Sequence, residues 1–523
     1  MDIKKGKDYK NMPESYWIAS TKGKDYFPLE RNIDVETAIV GGGMVGILTA
    51  YQLEKSGKEI AILESGKVVE GVTAHTTGKI TSQHNLIYGK LIKEFGKEFA
   101  QQYAQANQRA IKEIKEIADE NNIECDYSIE PAFVYTQDRN YIKEIKEEAE
   151  AAQSLGIQAI YVEELPLSIP IKAGIRFDGQ AQFHSRKFLL PLAEKIMEKG
   201  VQIYEQSRVV ELNEDERGRY LLKTSNGQSI IADKVIIASH YPFYNKIGMY
   251  YTRIYQIRTY AIVIKAKEEF PGGMYVNAEQ PARSLRGLNT EQGEYILIVG
   301  ESHKTGQGEN TNNHYSELID FADNLFTIED IPYRWSTQDC MTLDGVPYIG
   351  NFTDKTPNLY IATGFGKWGI TNSMVSSMLL KDLIIKGESP WEGIYNPSRK
   401  SIIPSAKEFG KQGLNVAANL IGGKIKRVTK DKNIERGQGK VIEVDGEKVG
   451  AYRDEVGKLH LVNLTCTHMG CELNWNPAER SWDCPCHGSR FSVDGEILHG
   501  PAVQPLSFDQ DVNIIERLLE EDF

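Results

Sequence analysis

No stretch of this chain is apolar for long enough to cross a bilayer, and its opening residues, Met1-Asp-Ile-Lys-Lys-Gly-Lys, are polar with no apolar segment behind them. The expectation is a cytoplasmic protein with no transmembrane segment and no secretory leader. A basic excess is lacking too. Lys and Arg number 61 against 73 Asp and Glu, the net charge is −12, and no Lys/Arg run stands out. Nucleic acid is therefore not an expected partner. Cysteine is scarce, with six in 523 residues, which argues against a disulfide scaffold. Four of the six fall between Cys466 and Cys486, and such clustering points to a metal site. No internal repeat is evident. A chain of 523 residues is too long for one core, so roughly two to four domains are expected.

What is present is organised around Thr37-Ala-Ile-Val-Gly-Gly-Gly-Met-Val-Gly and the residues that follow to Glu64. The pattern predicts a buried strand, a tight turn, a helix from about Met44 and a second strand ending on an acid. Gly41, Gly43 and Gly46 form G-x-G-x-x-G. The first glycine makes the turn, the second admits a pyrophosphate to the backbone, and the third lets helix and strand pack closely. The helix would point its N–H groups and positive dipole end at that pyrophosphate. Glu64 stands roughly 20 residues on, where a ribose-binding carboxylate belongs. The alternative, an ordinary βαβ turn, leaves the acid unexplained.

Residues 71–81 are rich in hydroxyls and glycine. Thr73, Thr76, Thr77 and Lys79 could offer donors to phosphates or to a cofactor ring, or form a plain polar loop. A helical pattern over residues 91 to about 122 points Phe95, Phe99, Tyr103 and Ile111 inward. Further helices are predicted over about 140–155 and 186–200. Segments 201–212 and 230–239 read as strands, and 254–265 and 295–300 as strands of a separate antiparallel sheet. Residues 334–350 are turn-rich. Gly364-Phe-Gly-Lys-Trp-Gly369 is literally a second G-x-G-x-x-G and opens a helix to about Lys386. No strand ending in an acid follows it. Gly364, Gly366, Lys367, Trp368 and Gly369 are therefore read as serving the first cofactor from its other side. Residues 397–431 read as a linker with a short helix over 413–421, expected to dock on the protein and not on a membrane.

Two boxes follow the linker: Cys466-Thr-His-Met-Gly-Cys471 and Cys484-Pro-Cys-His-Gly-Ser489. Zinc could take two Cys and two His. However, each box mixes the two ligand types and carries an additional cysteine. Two thiolates on one iron and two imidazoles on the other form the ligand set of a [2Fe–2S] Rieske cluster. Residues 433–516 resemble the Rieske fold, particularly the cytochrome bc1 type. The resemblance implies that Cys466 and Cys484 bind one iron, that His468 and His487 bind the other, and that Cys471 and Cys486 form a disulfide bracing the loops. It also implies that His499-Gly-Pro-Ala502 is a third loop over the cluster. Ser489 matches a serine whose hydroxyl bonds a cluster sulfur. Phe491 stands where high-potential members have tyrosine, which implies a lower potential.

The glycine fingerprint, the 73–81 loop, the segment 231–239 and the 364–369 turn together resemble the D-amino-acid oxidase/glycine oxidase family of FAD enzymes, over about residues 34–390. That family implies an α/β FAD-binding Rossmann-type domain with an interleaved α+β substrate domain. Val209 would contact adenine, and the late glycine turn would face the flavin. Relatives of sarcosine oxidase attach FAD to a cysteine where this chain has Thr337, so noncovalent FAD is expected, with Cys340 three residues off. Arg258, Arg283 and Arg286 are candidates to grip a substrate carboxylate. His184 and His240 flank predicted cofactor segments. The expected organisation is an arm (1–34), an FAD-dependent oxidoreductase (35–396), a linker (397–432) and an all-β Rieske domain (433–523). The resemblance implies oxidation of an amine or amino acid by hydride transfer to flavin. Single electrons would then pass through the cluster to an electron-acceptor protein or quinone. Reverse flow from an external donor, or a redox sensor with little turnover, are the rival expectations.

Overall fold

The structure is a computed structural model that describes residues 12–507, apart from 245, 291, 292, 309, 400–403, 426–432 and 445. For 404–409 and 421–425 it describes the backbone alone. The expectations for 1–11 of the arm, 400–403 and 426–432 of the linker, and 508–523 of the last domain lie outside the described residues.

The first sheet centres on the strand Ile33–Val40, which runs parallel to Ile60–Leu63 on one side and Ser229–Ile237 on the other. Gln202–Tyr204 extends it in parallel beyond Ile60–Leu63, and Leu359–Thr363 beyond Ser229–Ile237. Such strands are covered on both faces and read as continuous apolar runs, which is why 60–63 is Ile-Ala-Ile-Leu, wholly buried. The helix Met44–Glu54 is apolar almost all round and is buried almost all round, against the sheet and the helix Gly369–Lys386.

The second sheet is mostly antiparallel, with Ile254–Ala266 flanked by Gly293–Lys304 and Ile328–Thr342. One pair, Met274–Asn277 with Ser128–Thr136, is parallel. The chain crosses between the sheets several times, so the two subdomains are interleaved as expected. The short helix Tyr16–Ala19 packs Tyr16 and Trp17 onto the second sheet beside Trp335.

Three local expectations need correction. Residues 334–342 are not turns but the end of the long strand Ile328–Thr342; pairing along Ile254–Ala266 overrides their turn-prone composition. The helix expected from 91 is two helices, Tyr88–Phe95 and Lys97–Glu120, broken at Gly96 with φ +86°. In the second helix Tyr103 and Ile111 are buried as expected, while Phe99 in its first turn is exposed. The short linker helix is longer, spanning Pro404–Ile425. It docks on protein: Val416 packs on the core of the last domain, and Asn415 accepts from Gln307 at 2.8 Å.

Among its described residues that last domain is all β. One small antiparallel sheet comprises Gly439–Val444, Glu447–Arg453 and Leu459–Asn463. The other comprises Asn474–Asn476, Ser481–Asp483, Arg490–Phe491 and Ile497–His499. Its contact with the second sheet is charged and buried. Arg258 pairs with Glu479 at 3.0 Å, and Arg490 with Asp483 at 2.9 Å. Tyr315 donates to Glu479 at 2.9 Å. Burial alone would raise both carboxyls, but Arg258 and Arg490 more than offset it and hold them below their ordinary values.

Candidate functional site

A cavity of about 690 Å³ lies at the carboxyl ends of the parallel strands, the place where open α/β sheets bind ligands. Of the residues expected to hold the cofactor, all but Gly46 and Gly364 line it. Those two act as packing glycines. A Cβ on Gly46 would sit 1.9 Å from the Gly41 carbonyl oxygen, and one on Gly364 (φ +77°) would sit 2.3 Å from Thr342. The helix Met44–Glu54 has Gly43 at its N-cap, with no side-chain cap and no acid in its first turn. That leaves a positive helix end able to receive an anion. Thr73 Oγ1 accepts from Met44 N at 3.1 Å and anchors the hydroxyl-rich loop there. Glu64 accepts from Gly42 N at 2.7 Å and Gly66 N at 2.8 Å, which fixes its carboxylate at the strand end.

The two cysteine boxes fold into adjoining loops. His468 and His487 have ring centroids 5.0 Å apart at 83°. Cys466 and Cys484 are buried free thiols, while Cys471 and Cys486 form a disulfide with Cα atoms 6.5 Å apart. The Ser489 hydroxyl bonds the Cys466 sulfur and accepts from Ala502 N at 3.1 Å, so it ties all three loops together. Burial lowers both histidines to about 4, which keeps the imidazoles neutral, the form that ligates metal. Nδ1 of His487 is buried with no hydrogen-bond partner. Two buried thiols, two neutral imidazoles and an orphaned ring nitrogen fit an iron cluster.

The two sites touch, which no spacing in the sequence signals. Ile497, Leu498, His499, Gly500, Ala502 and Val503 form part of the cavity wall. Arg208 donates to the Ile497 carbonyl at 3.3 Å. Gln338 Nε2 donates to the Gly488 carbonyl at 2.7 Å, between His487 and Ser489. Gly488 has φ +77°, and a Cβ there would lie 2.6 Å from the Gln256 side chain. Both glutamines line the cavity. Nothing local marks them, because their role comes from a pairing more than 140 residues away in sequence.

None of the three candidate arginines is open to substrate. Arg258 pairs with Glu479, and Arg283 pairs with Glu301 at 2.6 Å. Arg286 donates to the carbonyls of Thr77 and Gly78 at 3.0 and 2.9 Å. His184 caps the helix Ser185–Glu198 and meets Ser20 at 3.0 Å, a structural role. His240 lines the cavity, sits at φ +65° and keeps Nε2 buried without a partner. Thr337 also lines the cavity, while Cys340 does not, its sulfur lying 3.6 Å from Thr363.

A nucleotide-type crevice joined to a two-thiol, two-imidazole pair of loops defines a flavin-dependent oxidoreductase that carries an iron–sulfur domain. The chain belongs to the FAD dependent oxidoreductase family, whose model matches residues 36–383, and a Rieske [2Fe-2S] domain model matches residues 424–513. FAD and a [2Fe–2S] cluster are therefore its cofactors. It is 42% identical over 498 residues to a protein of Bacillus subtilis (strain 168), YhfW, named as a Rieske 2Fe-2S iron-sulfur protein; 95% of this chain and 97% of that one are covered. Its last domain is similar to cytochrome b6-f complex iron-sulfur subunit 3 of Nostoc, with 33% identity over 22% of this chain and 65% of that one. The crystal structure of glycine oxidase from Geobacillus kaustophilus superposes with a TM-score of 0.59, at 19% identity, covering 70% of this chain and 99% of that one. Among the described residues no helix is long and apolar enough to cross a membrane.

Proposed function

We propose that this protein oxidises an amine or amino acid at its flavin and delivers the electrons singly, through the cluster, to an external protein or quinone acceptor. The observation that carries this reading is the shared wall: the cluster loops close one side of the flavin cavity through residues 497–503 and through the Gln338–Gly488 hydrogen bond. Flavin takes two electrons as hydride and the cluster takes one at a time, so each substrate oxidised to imine consumes two one-electron equivalents of acceptor.

In this reading the chain's own groups have distinct tasks. The Gly41–Gly43 turn, Met44 N–H and Thr73 would hold the pyrophosphate, and Glu64 the ribose. Val209 would hold adenine, and residues 366–369 the flavin's far side. Cys466, Cys484, His468 and His487 would hold the irons. FAD would be noncovalent, since Thr337 and not Cys340 stands on the cavity wall. The functional units would be 35–396 and 433–523. We place the reaction in the cytoplasm, in keeping with the few cysteines.

Anaerobic titration with a panel of amines and amino acids, beside NADH and NADPH, tests the first half. An amine should bleach the flavin band, and bleaching by pyridine nucleotide alone would overturn the reading. His487→Ala tests the second half. It should leave flavin reduction intact and slow acceptor reduction about 10-fold or more; untouched acceptor turnover would sink the relay. A factor of ten corresponds to about 1.4 kcal/mol in the barrier.

A further inference from the structure

With all three candidate arginines engaged, a different cation lines the cavity where the second sheet forms its wall. Lys79 was expected among the cofactor residues, but its side chain turns to the second sheet. Its Nζ donates to the Tyr275 carbonyl at 3.1 Å and to the Ser284 hydroxyl. Ser284 pairs across strands with Val299, and Val276, Ser284, Val299 and Gly300 all line the cavity beside it. Two of the three ammonium donors are therefore used, and the third is left for a ligand.

No carboxylate answers this charge. Among the described residues Lys79 forms no salt bridge, and the charged group that acts on it is another cation, Arg286, itself locked to backbone carbonyls. Glu130 and Asp126 act on Arg286. Lys367, across the same strand, is different: it donates to Ser302 and lies near Asp339, which offsets it. An ammonium buried without an anion is costly, and a bound anion would remove that cost.

We infer that Lys79 is the anion anchor of the substrate end, so the substrate carries a carboxylate placed between Lys79 and the Ser284 hydroxyl. This rests on the proposed function and narrows it from amines in general to amino acids. Burial, followed by Arg286, lowers the Lys79 amine to about 7. An anion that requires the ammonium form should bind well below that value and lose about tenfold per pH unit above it.

The test uses the FAD-loaded protein and follows the flavin absorbance as acetate, propionate and benzoate are added, each against its neutral amide. The acids should bind at least tenfold more tightly than the amides at pH 6, and their advantage should fall away between pH 7 and 9. Lys79→Met should erase the preference, acid binding falling to the level of the matching amide. Equal binding of acid and amide, no binding of any acid, or a flat pH profile in the unaltered protein would overturn the inference. So would undiminished acid binding in Lys79→Met. The two proposals fail separately. A protein that reduces its flavin with neutral amines yet ignores carboxylates keeps the proposed function and loses this anchor. One that binds carboxylates through Lys79 but reduces its flavin with no amine does the reverse.

Discussion

At the junction of the two domains, Arg258 and Arg490 face Glu479 and Asp483, two cations against two anions, all buried. Beside the cavity wall formed by the second sheet, Lys79 and Arg286 face no carboxylate within salt-bridge distance among the described residues. The residue types are alike and the surroundings are similarly dry, yet only the first group pairs each cation with an anion. A closed group holds structure together, while an open one awaits a ligand. Arg258 and Arg283 belong to structure because a carboxylate meets each, and Arg286 because backbone carbonyls hold it, whereas Lys79 in its hydroxyl-rich loop has no such closure.

The most severe way to break the comparison is to open the closed group. Glu479→Ala should leave Arg258 buried without its partner. Removing one member of a buried pair costs roughly 3–5 kcal/mol, read as a lower midpoint in denaturant. Glu479 and Asp483 are both held below their ordinary values, so the folded state binds fewer protons than the unfolded one in that range. Their stabilisation is complete above the unfolded carboxylate values, about 4, and is lost as pH falls below them. Glu479→Ala should show a weaker acid dependence than the unaltered protein. An equal acid dependence would mean that the pair is not the closing element.

A smaller effect should follow from pushing the two sites apart without touching a charge. Gly488→Ala places a Cβ at φ +77°, 2.6 Å from Gln256. Strain of this kind costs about 1–3 kcal/mol. The variant should still bind both cofactors and reduce its flavin with substrate at the normal rate, while reduction of the acceptor slows severalfold. Stopped-flow absorbance at the flavin band and the cluster band separates the two. If both steps slow together, the glycine serves the fold and not the coupling.

How much of this was legible beforehand follows the same line between local and distant. The cluster boxes carry their chemistry in six and six residues, and the structure brings those loops together with the disulfide between Cys471 and Cys486. The glycine turn, its helix and Glu64 are likewise local, and they meet at one end of the cavity. The Gln338–Gly488 contact spans 150 residues and the Arg208–Ile497 contact 289, so no spacing rule reaches them. Residues 334–342 form a strand against their local turn composition because pairing with Ile254–Ala266 overrides it. Lys79 stands out in its loop by type, but its direction toward Ser284 is set by the second sheet, which the loop's own sequence does not describe.

The mildest change sharpens the contrast inside the last domain. Phe491 is fully buried, in the strand Arg490–Phe491 that follows the second box. It brings no hydroxyl to a cluster that becomes more negative on reduction. Its neighbour Ser489 already donates to the Cys466 sulfur. Phe491→Tyr would add a second donor to the same region. A hydrogen bond to a charged group is worth roughly 1.5 kcal/mol, which for one electron is about 65 mV. Redox titration of the cluster should therefore show a midpoint raised by tens of millivolts, with the flavin midpoint unmoved. That selectivity separates a local donor from a general repacking of the domain. An unchanged cluster midpoint would mean that the phenylalanine does not set the potential, and that the backbone and Ser489 already fix it.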